Sequence, residues 1–217
     1  MFRIITVEGQ FGSGGEAIAE RVAEQLGWKL LEPKAVEAAW AAQVDAEPAG
    51  QFDERADSWW RRTTTRGLWS ARIKAGASAG DVRFFDAGTM AALVREQIAD
   101  AAAGGGYVIV GSGAQCELQI CSEAFHVFVY APWTERVTRV RQHSGTNSDI
   151  KKVLRKIHDA DQARAAFIRR YFRSDWTDPQ LYHLMVSSQL GEDHVARLIT
   201  EAVASPEGAA FLQSSGR

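Results

Sequence analysis

Residues 4–27, IITVEGQFGSGGEAIAERVAEQLG, constrain the fold more than any other stretch of the chain. An apolar, β-branched run enters a glycine loop, and the loop opens a helix. Ile18, Val22 and Leu26 recur every four residues and give that helix one apolar face, with Gly27 as its stop. The frame from Gly9 to Gly14 has the spacing of the phosphate loop G-x-x-x-x-G-K-[ST]. Gly15, however, stands where that loop has its lysine, and Glu16 where it has Ser or Thr.

A loop of this kind attracts phosphate through a nest of backbone N–H groups, the positive end of the helix dipole and the lysine. The first two need only glycines and a following helix. Gly9, Gly12, Gly14 and Gly15 supply those, and Ser13 adds a hydroxyl. A carboxylate at the helix start, as at Glu16, gains about 0.3–1 kcal/mol from the dipole. It also competes with an anionic ligand for the same amides, unless it serves as an oxygen ligand for Mg2+. A glycine turn that binds nothing is the plainer alternative.

Strand and helix signals alternate through the rest of the chain. Strands are expected at 2–7, 28–31, 107–110, 126–130 and 182–187. Helices are expected at 34–44, 89–103, 114–121, 133–142, 149–172 and 192–204. Five strands joined mostly by helical crossovers predict an α/β fold, a parallel sheet covered on both faces. Ligands of such sheets sit beyond the C-terminal strand ends, here at 8–15, 32–34, 111–113, 131–132 and 188–191. Residues 45–85 differ in texture: polar, rich in Arg and Trp, without clear period. They read as an inserted helical subdomain, with Trp59–Trp60 as its core or as a contact surface for a base or a partner.

Charge on one helix carries the next clue. At about 100° per residue, Ile150, Val153, Leu154, Ile157, Ile168 and Tyr171 share a face, and Asp161 and Arg164 fall within it. Three residues apart, these two can pair with each other. An inward charge is costly unless paired or serving a ligand. The pair is therefore either a structural ion pair or an arginine held by Asp161 and aimed at phosphate. Arg169 and Arg170 lie off this face. On the preceding helix Arg136 and Arg139 share a face, placed as a closing lid would carry arginines onto a transferring phosphoryl group, or else solvated.

Composition narrows the classes. In 217 residues, 25 basic and 27 acidic side chains leave a net charge of −2, which argues against broad nucleic-acid binding. No apolar run has membrane-spanning length, and the first residues lead directly into a strand without a signal-peptide pattern. Cys116 and Cys121 match no common zinc spacing and read as packed thiols, so a cytoplasmic protein is expected.

Together these stretches resemble the cytidylate kinase-like family, a nucleoside monophosphate kinase branch of the phosphate-loop NTPases. The resemblance runs over roughly residues 2–200. It rests on ITVEGQFGSGGEAIAERVAEQLG, YVIVGSGA, FHVFVYAPWTERVTRV and DADQARAAFIRRYFRSDWTDPQLYHLMV. The last stretch is the most specific, keeping the family's run D-x-x-R-A-x-x-x-x-R-Y-F and then D-W-x-D-P. The resemblance implies one three-layer phosphate-loop domain with a five-stranded parallel sheet, an acceptor-binding insertion at 45–85 and a lid-like loop at 141–152. It implies ATP with Mg2+ as cofactors, with ATP held at Gly9, Gly12, Ser13, Gly14, Gly15 and Glu16. A small-molecule nucleotide, CMP or dCMP, would be the acceptor, with Glu32, Lys34, Ser112 and Arg170 around it. Arg136, Arg139, Arg164 and Asp161 would be the catalytic group.

Three positions depart from the family pattern. Glu16 replaces an arginine after G-S-G-G, Ser112 replaces the arginine of G-R-G-A, and Glu32–Pro33 replaces an Asp-Arg pair. A catalytically impaired nucleotide-binding or protein-interaction module, or a kinase of another small molecule, therefore stands beside the enzyme reading. A homodimer through an exposed Trp surface is a further expectation.

Overall fold

The computed structural model describes residues 2–31, 98–144 and 149–205. The helix expected at 34–44, the insertion at 45–85, Glu32, Lys34, Trp59 and Trp60 lie outside these residues. The described elements are β1 (Ile4–Gly9), α1 (Gly15–Leu26), β2 (Lys29–Leu31), β3 (Tyr107–Val110), α2 (Ala114–Glu117), β4 (Ala124–Tyr130), α3 (Trp133–Ser144), α4 (Ile150–Phe172), β5 (Leu184–Ser187) and α5 (Glu192–Ala204). Residues 98–104 are also helical.

The five strands form one parallel sheet in the order β2-β3-β1-β4-β5. β1 lies at its centre, and its pairing with β4 runs through Gly9 opposite Val129. This carries the strand two residues past the expected 2–7 and brings Glu8 into the sheet. β1, β3 and β4 are buried on both faces, as a sheet covered twice requires. Ile5, Val7, Val127 and Val129 pack against Ile18 and Val22 of α1 and Val195 and Ile199 of α5. On the opposite face, Phe128 packs with Phe167 and Ile168 of α4 and with Trp176 and Tyr182. Ile4 and Ile109 on that face pack with Ile98.

Several expected boundaries shift for local reasons. The helix after β3 stops at Glu117 rather than 121. The lid-like loop at 141–152 shortens, because α3 continues to Ser144 and α4 begins at Ile150. Asp149 caps α4 by accepting a hydrogen bond from the Lys151 N–H at 3.0 Å. The apolar stripe of α4 starts at Val153, which packs with Val140 and Ile157, while Ile150 in the first turn is exposed. Both cysteines are free and half-buried, and burial raises the Cys116 thiol to about 11.

A buried histidine makes the sheet sensitive to acid. His126, opposite Thr6 in the register, is only 3% exposed. Its Nδ1 lies 2.8 Å from Thr6 Oγ1 and its Nε2 lies 3.2 Å from the Leu118 carbonyl, so the neutral ring is satisfied at both ends. Its ring stacks on His183 with centroids 5.1 Å apart. Burial first, and His183 second, lower its pKa from 6.5 to about 4, against the Leu118 carbonyl. With the folded pKa depressed, the unfolded chain takes up this proton first as pH falls. Stability is therefore fully present above pH 6.5 and declines towards pH 4, by up to about 3 kcal/mol from this group. Denaturant unfolding of wild type and His126→Asn between pH 7 and 4 will show the steeper loss in the wild type. Parallel curves would contradict this origin.

Candidate functional site

The turn from β1 into α1 is tightly specified. Gly14 caps α1 with φ +87°, a left-handed conformation that side chains resist. A Cβ on Gly9 would run into the Val129 carbonyl oxygen of the neighbouring strand. The amides of Gln10, Phe11 and Ser13 are used within the fold: Gln10 N–H donates to Val129 O, Phe11 N–H to Asp161 Oδ1 and Ser13 N–H to Gln10 O. The N–H groups of Gly12, Gly14, Gly15 and Glu16 have no carbonyl partner among the described residues. Those at the start of a helix are the orphan donors every helix carries. They border a cavity of about 400 Å3, lined also by Glu8, Arg139, Val140, Lys156, Arg164 and Glu192. Glu16 is exposed at the edge of this cavity.

Three arginines reach the loop, each through a different carbonyl. Arg164 of α4 donates to Gly9 O at 3.3 Å, Arg136 of α3 to Phe11 O at 2.8 Å, and Arg139 of α3 to Ser13 O at 3.1 Å. Alternate carbonyls at 9, 11 and 13 are thus turned toward guanidinium groups. Each arginine also has a carboxylate. Arg136 pairs with Asp161, Arg164 with Glu8, and Arg139 lies 3.7 Å from Glu192. Arg139 also donates to Ser188 Oγ at 3.0 Å.

Asp161 and Arg164 each form an ion pair that crosses between elements, Asp161 with Arg136 and Arg164 with Glu8. Both side chains share a face of α4, but each meets a more deeply buried opposite charge. Arg136 is 3% exposed and Glu8 1% exposed. One Asp161 oxygen holds Phe11 N–H at 2.9 Å while the other takes Arg136, so this carboxylate binds loop and helix together. Burial works against the Arg164 charge, and the Glu8 carboxylate overcomes it, with Asp161 and Glu16 adding; the pKa moves up. Arg136 stacks on Trp133 at 5.1 Å and does not border the cavity; Arg139 and Arg164 do.

The remaining candidates are dispersed. Ser112 sits between two glycines in a run of three left-handed residues, φ +64°, +63° and +77°. Its hydroxyl is buried without a hydrogen bond. The preceding Gly111 N–H donates to Val7 O at 2.9 Å, which sets this turn beside Glu8. Arg170 is exposed and stacks on Tyr171 at 5.6 Å.

Glu8 and Lys156 border the cavity and escaped the sequence reading. The signal for Glu8 was a single carboxylate closing an apolar strand directly before the glycine loop. Its Oε1 accepts from Gly9 N–H at 3.0 Å and from Arg164. Its Oε2 is buried with no hydrogen-bond partner among the described residues. Such an oxygen favours a donor or a cation from outside the protein chain. Glu8 and the edge carboxylate Glu16 thus suit Mg2+, which takes one or two carboxylates beside phosphate oxygens. No group of three or more metal-binding side chains occurs among the described residues. No described helix is long and apolar enough to cross a membrane.

The cytidylate kinase-like family model matches residues 4–190. No curated protein matches the sequence. Among solved structures, the chain is similar to an uncharacterized protein from Eubacterium ventriosum, at 19% identity and a TM-score of 0.67, covering 93% of this chain and 98% of that one. It is also similar to a shikimate kinase from Bacteroides thetaiotaomicron, at 14% identity and a TM-score of 0.53, with coverage of 93% and 98%. At these identities the likeness concerns the fold.

Proposed function

Since the chain belongs to the cytidylate kinase-like family, we propose that it transfers the γ-phosphoryl group of ATP to a nucleoside monophosphate, CMP or dCMP. One observation carries this reading. The residues Gly12, Gly14, Gly15 and Glu16, whose amides have no carbonyl partner among the described residues, line a common cavity, while the carbonyls of Gly9, Phe11 and Ser13 accept from arginines. A phosphate chain is the ligand that such a nest accommodates.

The residues would divide the work as follows. The loop amides bind the phosphates of ATP. Arg139 and Arg164, which border the cavity, set positive charge beside the group in transfer, where such charge weighs most. Arg136 and Asp161 hold Phe11 and so act as positioning residues. Ser112 lies in the turn beside Glu8, where an acceptor would approach, while Arg170 does not border the cavity and has no role in the transfer. An acceptor phosphate oxygen forms the new bond to the γ-phosphorus as the bond to the β-phosphate oxygen breaks, giving ADP and a nucleoside diphosphate. Glu8 and Glu16 would hold Mg2+, which would supply charge neutralisation on the phosphate oxygens. No general base is required, because positioning and electrostatics dominate this chemistry.

A second reading, a nucleotide-binding module without turnover, is favoured by the pairing of every site arginine with a carboxylate. Coupled ADP release with ATP·Mg2+ and CMP, dCMP, UMP or AMP separates the two. The enzyme reading expects ADP release that depends on CMP or dCMP. Tight nucleotide binding without turnover would transfer the case to the module, especially if Glu16→Arg then creates activity.

A further inference from the structure

The loop lacks a lysine, and the structure brings one from elsewhere. Among the described residues, three lysine or arginine side chains border the cavity: Arg139, Lys156 and Arg164. Two are committed, Arg139 near Glu192 and Arg164 to Glu8. Lys156 takes part in no ion pair among the described residues. Its Nζ lies over the Phe11 ring, 5.6 Å from the centroid. Phe11 belongs to the glycine loop, and its backbone is fixed on both sides, the N–H by Asp161 and the carbonyl by Arg136. The ammonium therefore rests on a rigid part of the phosphate cradle, eight residues and roughly 80° around α4 from Arg164.

Charge makes this cation consequential. The cavity is bordered by the carboxylates of Glu8, Glu16, Glu20 and Glu192 against those three cations. Among the described residues, a polyphosphate entering there meets one positive side chain in no ion pair, Lys156. We infer that Lys156 replaces the missing loop lysine in trans, reaching from α4 to the outer phosphates of a bound nucleoside triphosphate. A flexible stem ending in a compact charge suits that reach. The inference rests on the ATP-binding reading given above.

Position 15 allows a direct exchange. A Cβ on Gly15 would meet its nearest neighbours, Ser13 Oγ and Val129 Cβ, at an ordinary 3.7 Å. A Cβ is therefore tolerated where the usual loop has its lysine. Calorimetric titration of the full chain with ATP·Mg2+ and with AMP should be run on wild type, Lys156→Ala, Lys156→Arg, and Lys156→Ala combined with Gly15→Lys. Lys156→Ala is expected to weaken ATP roughly 10- to 100-fold, as loss of one charged hydrogen bond does, while AMP is unaffected. Lys156→Arg keeps most of the affinity, and Gly15→Lys restores it in the Lys156→Ala background. ATP binding unchanged by Lys156→Ala, or lost equally for ATP and AMP, overturns the inference and leaves the nucleotide reading standing. A wild type that binds no ATP overturns both.

Discussion

Asp161→Ala is expected to destabilise the protein by about 3–5 kcal/mol and to abolish triphosphate binding. The removed carboxylate is the sole acidic partner of Arg136 among the described ion pairs, and Arg136 is 3% exposed. A guanidinium left unpaired in that position cannot shed its proton, so the full cost of burying its charge appears. The Phe11 N–H loses its acceptor at the same time. With Phe11 released, the amides of Gly12 and Gly14 lose their fixed direction. Guanidinium chloride unfolding measures the stability, and ATP titration below the transition measures the binding. Asp161→Asn, which still accepts from Phe11 N–H, should fall between the two. An Asp161→Ala protein with wild-type stability would show that the pair contributes nothing.

The other large effect comes from the second crossing pair. Arg164→Met leaves the Glu8 carboxylate, 1% exposed, with Gly9 N–H as its remaining donor among the described hydrogen bonds. A cost of about 3–5 kcal/mol at neutral pH follows from breaking a buried pair at one end. Removing both charges in Glu8→Gln with Arg164→Met should recover most of that loss, because no bare charge then remains. The double variant is expected to be folded but poor at phosphoryl transfer, since Arg164 borders the cavity. If the two single losses simply add in the double variant, Glu8 and Arg164 are not coupled and the pairing is incidental.

Much of the fold was legible because its signals are local. Buried parallel strands leave apolar runs such as YVIV, and Gly27 marks the end of α1 with φ +65°. Strand ends were less legible: β1 runs two residues past its expected end because its partner β4 continues beside it, and pairing between distant segments leaves no local trace. The same limit explains the site. The glycine spacing located the loop, and the inward charges of α4 marked Asp161 and Arg164. Helical spacing then suggested that these two would pair with each other. Their actual partners, Arg136 and Glu8, lie 25 and 156 residues away and are chosen by how α3, α4 and β1 converge. Arginines at such a loop suggested contacts with phosphate. In the fold they hold backbone carbonyls, a role that composition and spacing do not encode. Lys156 was invisible for a related reason: an exposed lysine on a charged helix looks like a solvated one until Phe11 is placed beneath it.

The central claim is that main-chain amides of the loop and the start of α1, with the loop carbonyls held by Arg136, Arg139 and Arg164, hold a phosphate chain. Backbone amide chemical shifts of the 15N-labelled protein, followed during titration with ATP·Mg2+, test it most directly. The largest shifts are predicted at Gly12, Gly14, Gly15 and Glu16, with smaller ones at the constrained Phe11. Saturating nucleotide that leaves these amides unmoved, or moves only residues remote from the loop, would contradict it.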